Sequence, residues 1–192
     1  MQPQNLPTFI DLSRFKVATE FRGRSAFVTQ LWWLVQDFLI RPSPQFLYGW
    51  RRFWWRLFGA DVGEQVIIRP TARVTFPWKV KIGARSWIGD YAELYSLGAI
   101  EIGSDAIISQ HAYLCAGTHD YTKIDFPLVA SPIRIEDQTW VAAGCFVAPG
   151  VTIGRGSIIG ARSVVLENMP AGMICVGNPA KPLKPRPVPE SL

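Results

Sequence analysis

Histidine is scarce in this chain. His111 and His119 are the only two in 192 residues, so one subunit cannot assemble a three-histidine zinc site, and a metal of that type would need ligands from a second subunit. Cysteine is equally thin: Cys115, Cys145 and Cys175 are odd in number and lie at no metal-ligand spacing, which reads as reduced thiols in a cytosolic protein. Long apolar runs are missing too. The longest candidate, residues 26–40, is interrupted by Thr29, Gln30, Gln36 and Asp37, short of the roughly 18 apolar residues that a spanning helix needs. Residues 1–12 have neither a basic start nor an apolar stretch, so no signal peptide is expected there. No P-loop and no Gly-x-Gly-x-x-Gly after a strand is found, which removes the common phosphate-binding motifs.

What is present is apolar and short on charge. With 48% hydrophobic and 18% charged residues, the chain is long enough for one well-buried core and too apolar for disorder. Its net charge of +5 is unevenly placed: residues 1–60 carry eight Arg and Lys against three Asp and Glu, whereas residues 61–192 carry twelve of each. The basic excess therefore belongs to the first 60 residues. A lipid surface or lipid-linked phosphate accounts for it better than nucleic acid.

From residue 62 onward a period of six runs through the chain. One register is Ile135, Val141, Val147, Ile153, Ile159, Val165; others are Ile82, Ile88, Leu94, then Ile102, Ile108, Leu114, and a weaker Val62, Ile68, Val74. A small residue often follows four positions later, as in Ser86, Ala92, Ala106, Ala112, Ser157 and Ser163. Neither a helix nor an open strand gives that spacing. A short strand plus a corner does: each hexapeptide forms one side of a triangular prism, with the branched residue pointing to the axis. The Gly that follows the branched residue is expected to supply the backbone conformation of the corner. Grouped by threes, the coils begin at Val62, Ile82, Ile102, Ile135 and Ile153, about five in all. The single long step holds residues 120–132, DYTKIDFPLVASP, which must leave the prism as a loop, and such loops are often functional.

These residues resemble a known family. The [LIV]-G-x4 repeat, His119-Asp120-Tyr121 at the loop, Trp140-Val141-Ala142-Ala143-Gly144 after it, PGVTIG, GARSVV and GNPAK (from Gly177) look like the hexapeptide-repeat acyltransferases. Within them the match is to the sugar and polysaccharide O-acetyltransferase branch, most of all to proteins provisionally assigned to colanic acid biosynthesis. The resemblance covers roughly residues 60–186. It implies a mainly β fold, a left-handed parallel β-helix of about five coils over 61–169 with its loop at 119–132; residues 1–60 read separately as a helical region and 170–192 as a Pro-rich tail.

Transfer of an acyl group to a hydroxyl needs a base. The resemblance puts it on His119, where the third coil gives way to the loop. His111, in ISQHAY, reads as a surface or subunit-contact residue. Cys115 reads as a thiol nucleophile or as a filler of a corner-adjacent position, the second being the commoner case for such thiols. The resemblance further implies acetyl-CoA as donor and no metal. Trp140 would flank its pantetheine arm, Ala143 and Ala161 would offer backbone groups, and Lys181, Lys184 and Arg162 would approach the phosphates. Leu166-Glu167 departs from the Thr-Lys pair of the family at that point. For the acceptor, Asp90, Tyr91 and Tyr95 are the local candidates.

Residues 1–60 lack the period. Phe27, Leu31, Leu34, Val35, Phe38 and Leu39 are spaced as one helical face, ended by Arg41-Pro42-Ser43-Pro44. A second helix follows, with Phe46, Trp50, Phe53, Trp54, Leu57 and Phe58 on one face and Arg51, Arg52 and Arg56 on another. Two roles stay open: a peripheral contact with lipid headgroups through residues 26–58, or a cap over the open end of the prism.

The expectation is an acetyl-CoA-dependent O-acetyltransferase acting on a sugar hydroxyl of a surface polysaccharide precursor, by direct transfer, in the cytoplasm or peripherally on the inner membrane. A homotrimer with intersubunit sites is implied by the family. N-acetylation of an amino sugar, serine O-acetylation and a non-catalytic β-helix scaffold are the alternatives.

Overall fold

The computed structural model describes residues 8–17, 19–188 and 190, so the opening of the stretch 1–12 and the last two residues lie outside it. From Asp61 the chain winds as short strands into three parallel sheets. The first stacks Asp61–Val62, Val80–Ile82, Ile100–Ile102, Ile133–Ile135 and Thr152–Ile153. The second climbs from Ile67–Ile68 through Trp87–Ile88, Ile107–Ile108 and Trp140–Val141 to Ile158–Ile159. The third joins Arg73–Val74, Glu93–Tyr95, Tyr113–Cys115, Phe146–Val147 and Val164–Val165. The expected coil starts are register partners: Val62 with Ile82, Ile82 with Ile102, Ile102 with Ile135, and Ile135 with Ile153.

The result is a parallel β-helix of five full coils and part of a sixth. Ile153 bridges Met169, and Met173–Gly177 pairs with Ile158–Ile159. Much of the segment expected as a Pro-rich tail therefore adds a rung, and Ala180–Pro185 returns antiparallel along it. The residues that the repeat marks face the axis: Ile88, Leu94, Ile108, Leu114, Val141 and Val147 have no exposed surface. Each such burial contributes about 1.5–3 kcal/mol.

The glycines work differently from the sequence expectation. The left-handed corner residue lies three positions after the branched one, not next to it: Arg85, Tyr91, Asp105, His111, Gln138 and Arg162 all have φ between 55° and 61°. Gly103, directly after Ile102, is needed because the next coil passes close by; a Cβ there would lie 2.5 Å from the Asp137 backbone nitrogen.

The long insertion is a β-hairpin beginning at Gly117, two residues before the expected start. Gly117–His119 pairs antiparallel with Leu128–Ala130, His119 opposite Leu128. Its base is anchored by Gly98 N–H and Ser131 N–H, which both donate to Ala116 O.

Two helices close the first coil. Helix α1, Ala26–Val35, starts at Ser25, whose side chain accepts the Val28 N–H, and runs into a π-helical turn, Gln36–Ile40. Helix α2 is Tyr48–Leu57. Their buried faces are only in part the expected ones: Val35 and Phe58 are buried and Trp54 packs against the core. Thr29, Trp32, Val35, Gln36 and Ile40 are buried while Phe27, Leu31, Leu34 and Phe38 are exposed, and α2 buries Arg51 and Trp55. The reason is the prism end, a row of unpaired carbonyl and N–H groups that needs polar partners. Arg51 Nε donates to Ile68 O, Arg52 to Val66 O, Arg56 to Val62 O and Gly63 O, and Trp32 Nε1 to Val74 O, while Gln36 accepts the Val74 N–H. The guanidinium groups of all three arginines cap that edge, Arg51 buried, Arg52 half-buried and Arg56 exposed.

Candidate active site

His119 ends the outgoing strand of the hairpin. Its Nδ1 lies 2.8 Å from the Phe126 carbonyl oxygen. A carbonyl only accepts, so Nδ1 carries a proton and, in the neutral ring, Nε2 keeps its lone pair. The Phe126 ring stacks on the imidazole at 4.3 Å with 9° between planes. Phe126 has φ 46°, so a residue outside the usual region turns its carbonyl toward the histidine. Phe15 approaches the same imidazole at 5.8 Å, and its segment is held by Asp11 N–H donating to Ile124 O at the hairpin tip. The ring is half-buried between the two phenylalanines. Neither could be found from the repeat; Phe15 is over a hundred residues away in sequence, and Phe126 carries no motif.

Asp120, next in sequence, does not touch the imidazole. Its carboxylate accepts from the Thr122 N–H and O–H and caps the turn, and the Thr122 hydroxyl is the main reason its carboxyl sits below the ordinary value.

Trp140 lies on a different side of the prism, on the second sheet between Ile107 and Ile158. Its indole N–H donates to Ser109 Oγ at 2.9 Å. It lines a cleft of about 680 Å³ together with Trp87, Asp90, Tyr91 and His111. His111 stacks on Tyr91 at 5.0 Å and 8°, so this histidine belongs to the cleft wall. Asp90 is committed to Arg69 Nε and Thr71 Oγ1, both at 2.7 Å. Tyr95 is elsewhere, on the third sheet opposite Cys115 and stacked with Tyr113. Burial pushes both phenols above their ordinary value, with Cys115 adding to it. Cys115 itself donates to Gly117 O.

Ala143 and Ala161 occupy the corners after the second sheet in successive coils, and Arg162 N–H donates to Ala143 O. Among the described residues neither alanine N–H has a protein acceptor, so both are open to a ligand carbonyl. Arg162 is exposed. Lys181 pairs with Glu167 at 3.1 Å, both well exposed, a contact weak enough to yield to a stronger anion. Lys184 is exposed on the same returning strand. Arg186, which no sequence motif marks, donates to Gln138 O and Gly156 O and lines a second cleft, of about 590 Å³, beside Trp140. Among the described residues no three His, Cys, Asp or Glu side chains are grouped to hold a metal ion, and no helix is long and apolar enough to cross a membrane.

Thus the imidazole and the Trp140 cleft stand on separate parts of one chain. This is the architecture of a hexapeptide-repeat transferase, and residues 132–167 match the bacterial transferase hexapeptide (six repeats) model. An Escherichia coli (strain K12) protein provisionally named as a colanic acid biosynthesis acetyltransferase, WcaF, is 49% identical over 176 residues, covering 92% of this chain and 97% of that one. A maltose O-acetyltransferase from Clostridium difficile 630 superposes with a TM-score of 0.78 at 21% identity, over 88% of this chain and 96% of that one. A hexapeptide-repeat-containing acetyltransferase from Vibrio cholerae O1 biovar eltor, solved with acetyl coenzyme A, gives 0.77 at 22%, over 86% and 92%. The chain belongs to the hexapeptide-repeat acetyltransferases.

Proposed function

We propose that the protein transfers an acetyl group from acetyl-CoA to a sugar hydroxyl of a surface-polysaccharide precursor, with His119 as general base. The observation that carries the reading is the Nδ1 contact to Phe126 O, which leaves Nε2 as the only ring nitrogen able to take a proton. The acceptor O–H gives its proton to Nε2 as its oxygen attacks the thioester carbonyl; the carbon–sulfur bond then breaks, and the thiolate takes the proton back from the imidazolium. No acyl-enzyme is formed. The polysaccharide context is taken from the relative of 49% identity.

Trp140, with the Ala143 and Ala161 N–H groups, would hold the pantetheine arm, and Lys181, Lys184 and Arg162 the phosphates, with Glu167 giving up Lys181 on binding. Asp90 and Tyr91 on one wall and Tyr95 on another are the acceptor candidates. Because His119 does not line the Trp140 cleft of its own chain, a neighbouring prism is needed to bring base and donor together. That geometry supports a homotrimer with sites between subunits, and the proposed place of action is the cytoplasm.

The test is release of free CoA from acetyl-CoA with a panel of nucleotide sugars and oligosaccharides, amino sugars and serine included. Acetylation of a sugar hydroxyl is the expected result. Transfer only to an amine or to serine, or no release with any acceptor, overturns the reading.

A further inference from the structure

The two capping helices turn their most apolar stripes away from the prism. On α1 the stripe is Phe27, Leu31, Leu34 and Phe38, at spacings of four, three and four. The loop and helix that follow repeat the spacing with Phe46, Trp50, Phe53 and Leu57. All eight side chains are exposed, Phe27 by 76%, Phe38 by 71%, Phe46 by 75% and Leu57 by 59%. The two stripes are tied together where Trp50 Nε1 donates to Leu39 O. A soluble surface rarely leaves so continuous an apolar face uncovered.

The charge around this face narrows what can cover it. Arg41 stands exposed in the turn between the helices, and Arg22 and Arg24 precede α1. Asp37, in the π-helical turn, pairs with Arg73 at 3.2 Å, and Asp11 pairs with Arg14 at 3.0 Å. A second copy presenting the same face would set the Arg22, Arg24 and Arg41 of one chain against those of the other, whereas an anionic lipid interface attracts them and accepts Phe, Leu and Trp at the headgroup boundary.

We propose that the outward face of this helix pair docks the protein on an anionic lipid surface. The contact is made by the two apolar stripes, with Arg22, Arg24 and Arg41 meeting headgroup phosphates, and not by Arg51, Arg52 and Arg56, which are occupied at the coil edge. It goes beyond the acetyl-transfer reading and does not rest on it. Under a threefold assembly of parallel prisms, three such faces would lie at one end and act together.

The experiment is flotation of the full chain with vesicles of phosphatidylcholine alone or mixed with phosphatidylglycerol, read without any acyl acceptor. The wild type should float with the anionic vesicles and be released by salt. The variant Phe27→Ser, Phe38→Ser, Phe46→Ser, Phe53→Ser should bind about 10-fold less with its melting temperature and assembly mass unchanged. As a second variant, Arg22→Glu with Arg41→Glu should lose the preference for anionic over neutral vesicles. The proposal fails if the wild type stays unbound with both vesicle types or if either variant binds as the wild type does. It also fails if the serine variant loses assembly mass, which would make the face an interface between copies.

Discussion

His119 and Phe126 face each other across the hairpin, with Nδ1 2.8 Å from the carbonyl oxygen and the rings stacked 4.3 Å apart. One contact fixes the tautomer and the other fixes the ring plane. The imidazole is thus held without a carboxylate partner, the Asp120 carboxylate being bonded to Thr122 in its own turn.

Replacing His119 with Ala should lower turnover by about 100-fold or more, while the stabilisation of the fold by acetyl-CoA, read as a shift in melting temperature, stays near that of the wild type. Near-normal turnover in this variant would remove His119 from the reaction.

Phe126→Ala keeps a carbonyl at the same place and deletes the stacked ring. Turnover should fall by about 10-fold, with KM for acetyl-CoA unchanged, because the imidazole loses orientation rather than chemistry. A rise in KM with unchanged turnover would instead assign Phe126 to substrate binding.

The two kinds of glycine should respond differently to alanine. Gly103→Ala drives a Cβ into the backbone of the next coil and should cost on the order of 3 kcal/mol. Gly144→Ala meets only the Arg162 side chain, at an ordinary contact distance of 3.5 Å, but sits at φ 68°, so about 1 kcal/mol is expected. Urea unfolding midpoints measure both, and equal losses would contradict the close-approach explanation.

Arg51→Met would leave the carbonyls of Ile68 and Gln45 without their donor and remove one of the two donors to Pro44 O, which keeps the Leu47 N–H. A loss of about 3 kcal/mol is expected, against less than about 0.5 kcal/mol for the exposed Arg41→Ala. Equal unfolding midpoints for the two variants would show that the guanidinium is not the cap.

The Asp120 carboxyl is held below its ordinary value of 3.8, first by the Thr122 hydroxyl and then by the Thr122 N–H. Its contribution to the hairpin is therefore complete above that value and is lost as pH falls through the lower folded one. An NMR titration of the Thr122 amide should show a midpoint below 3.8; a midpoint at or above it contradicts the capping contact.

Much of the prism was legible because its rule is local. A branched residue every six positions needs no knowledge of partners, so the coil starts and the axis-facing residues followed from Ile82, Ile102, Ile135 and Ile153 alone. The insertion showed itself as a break in that count, and His119 as the histidine at its mouth. The role of the glycines was not legible, since whether Gly103 serves its own φ or its neighbour's approach depends on the coil above. Nor were Phe15 and Arg186, whose contacts join segments far apart in sequence.

The sequence by itself determined the repeat, the prism and the position of its one large interruption, because strand and corner preferences act over six residues. Only the tertiary structure decided which way the capping helices face. Periodicity marks a helix's most apolar stripe, and that stripe is ordinarily buried. Here the surface to be covered is an edge of bare carbonyls, so Arg51, Arg52 and Arg56 are spent on capping it and Phe27, Phe38, Phe46 and Phe53 are left outside.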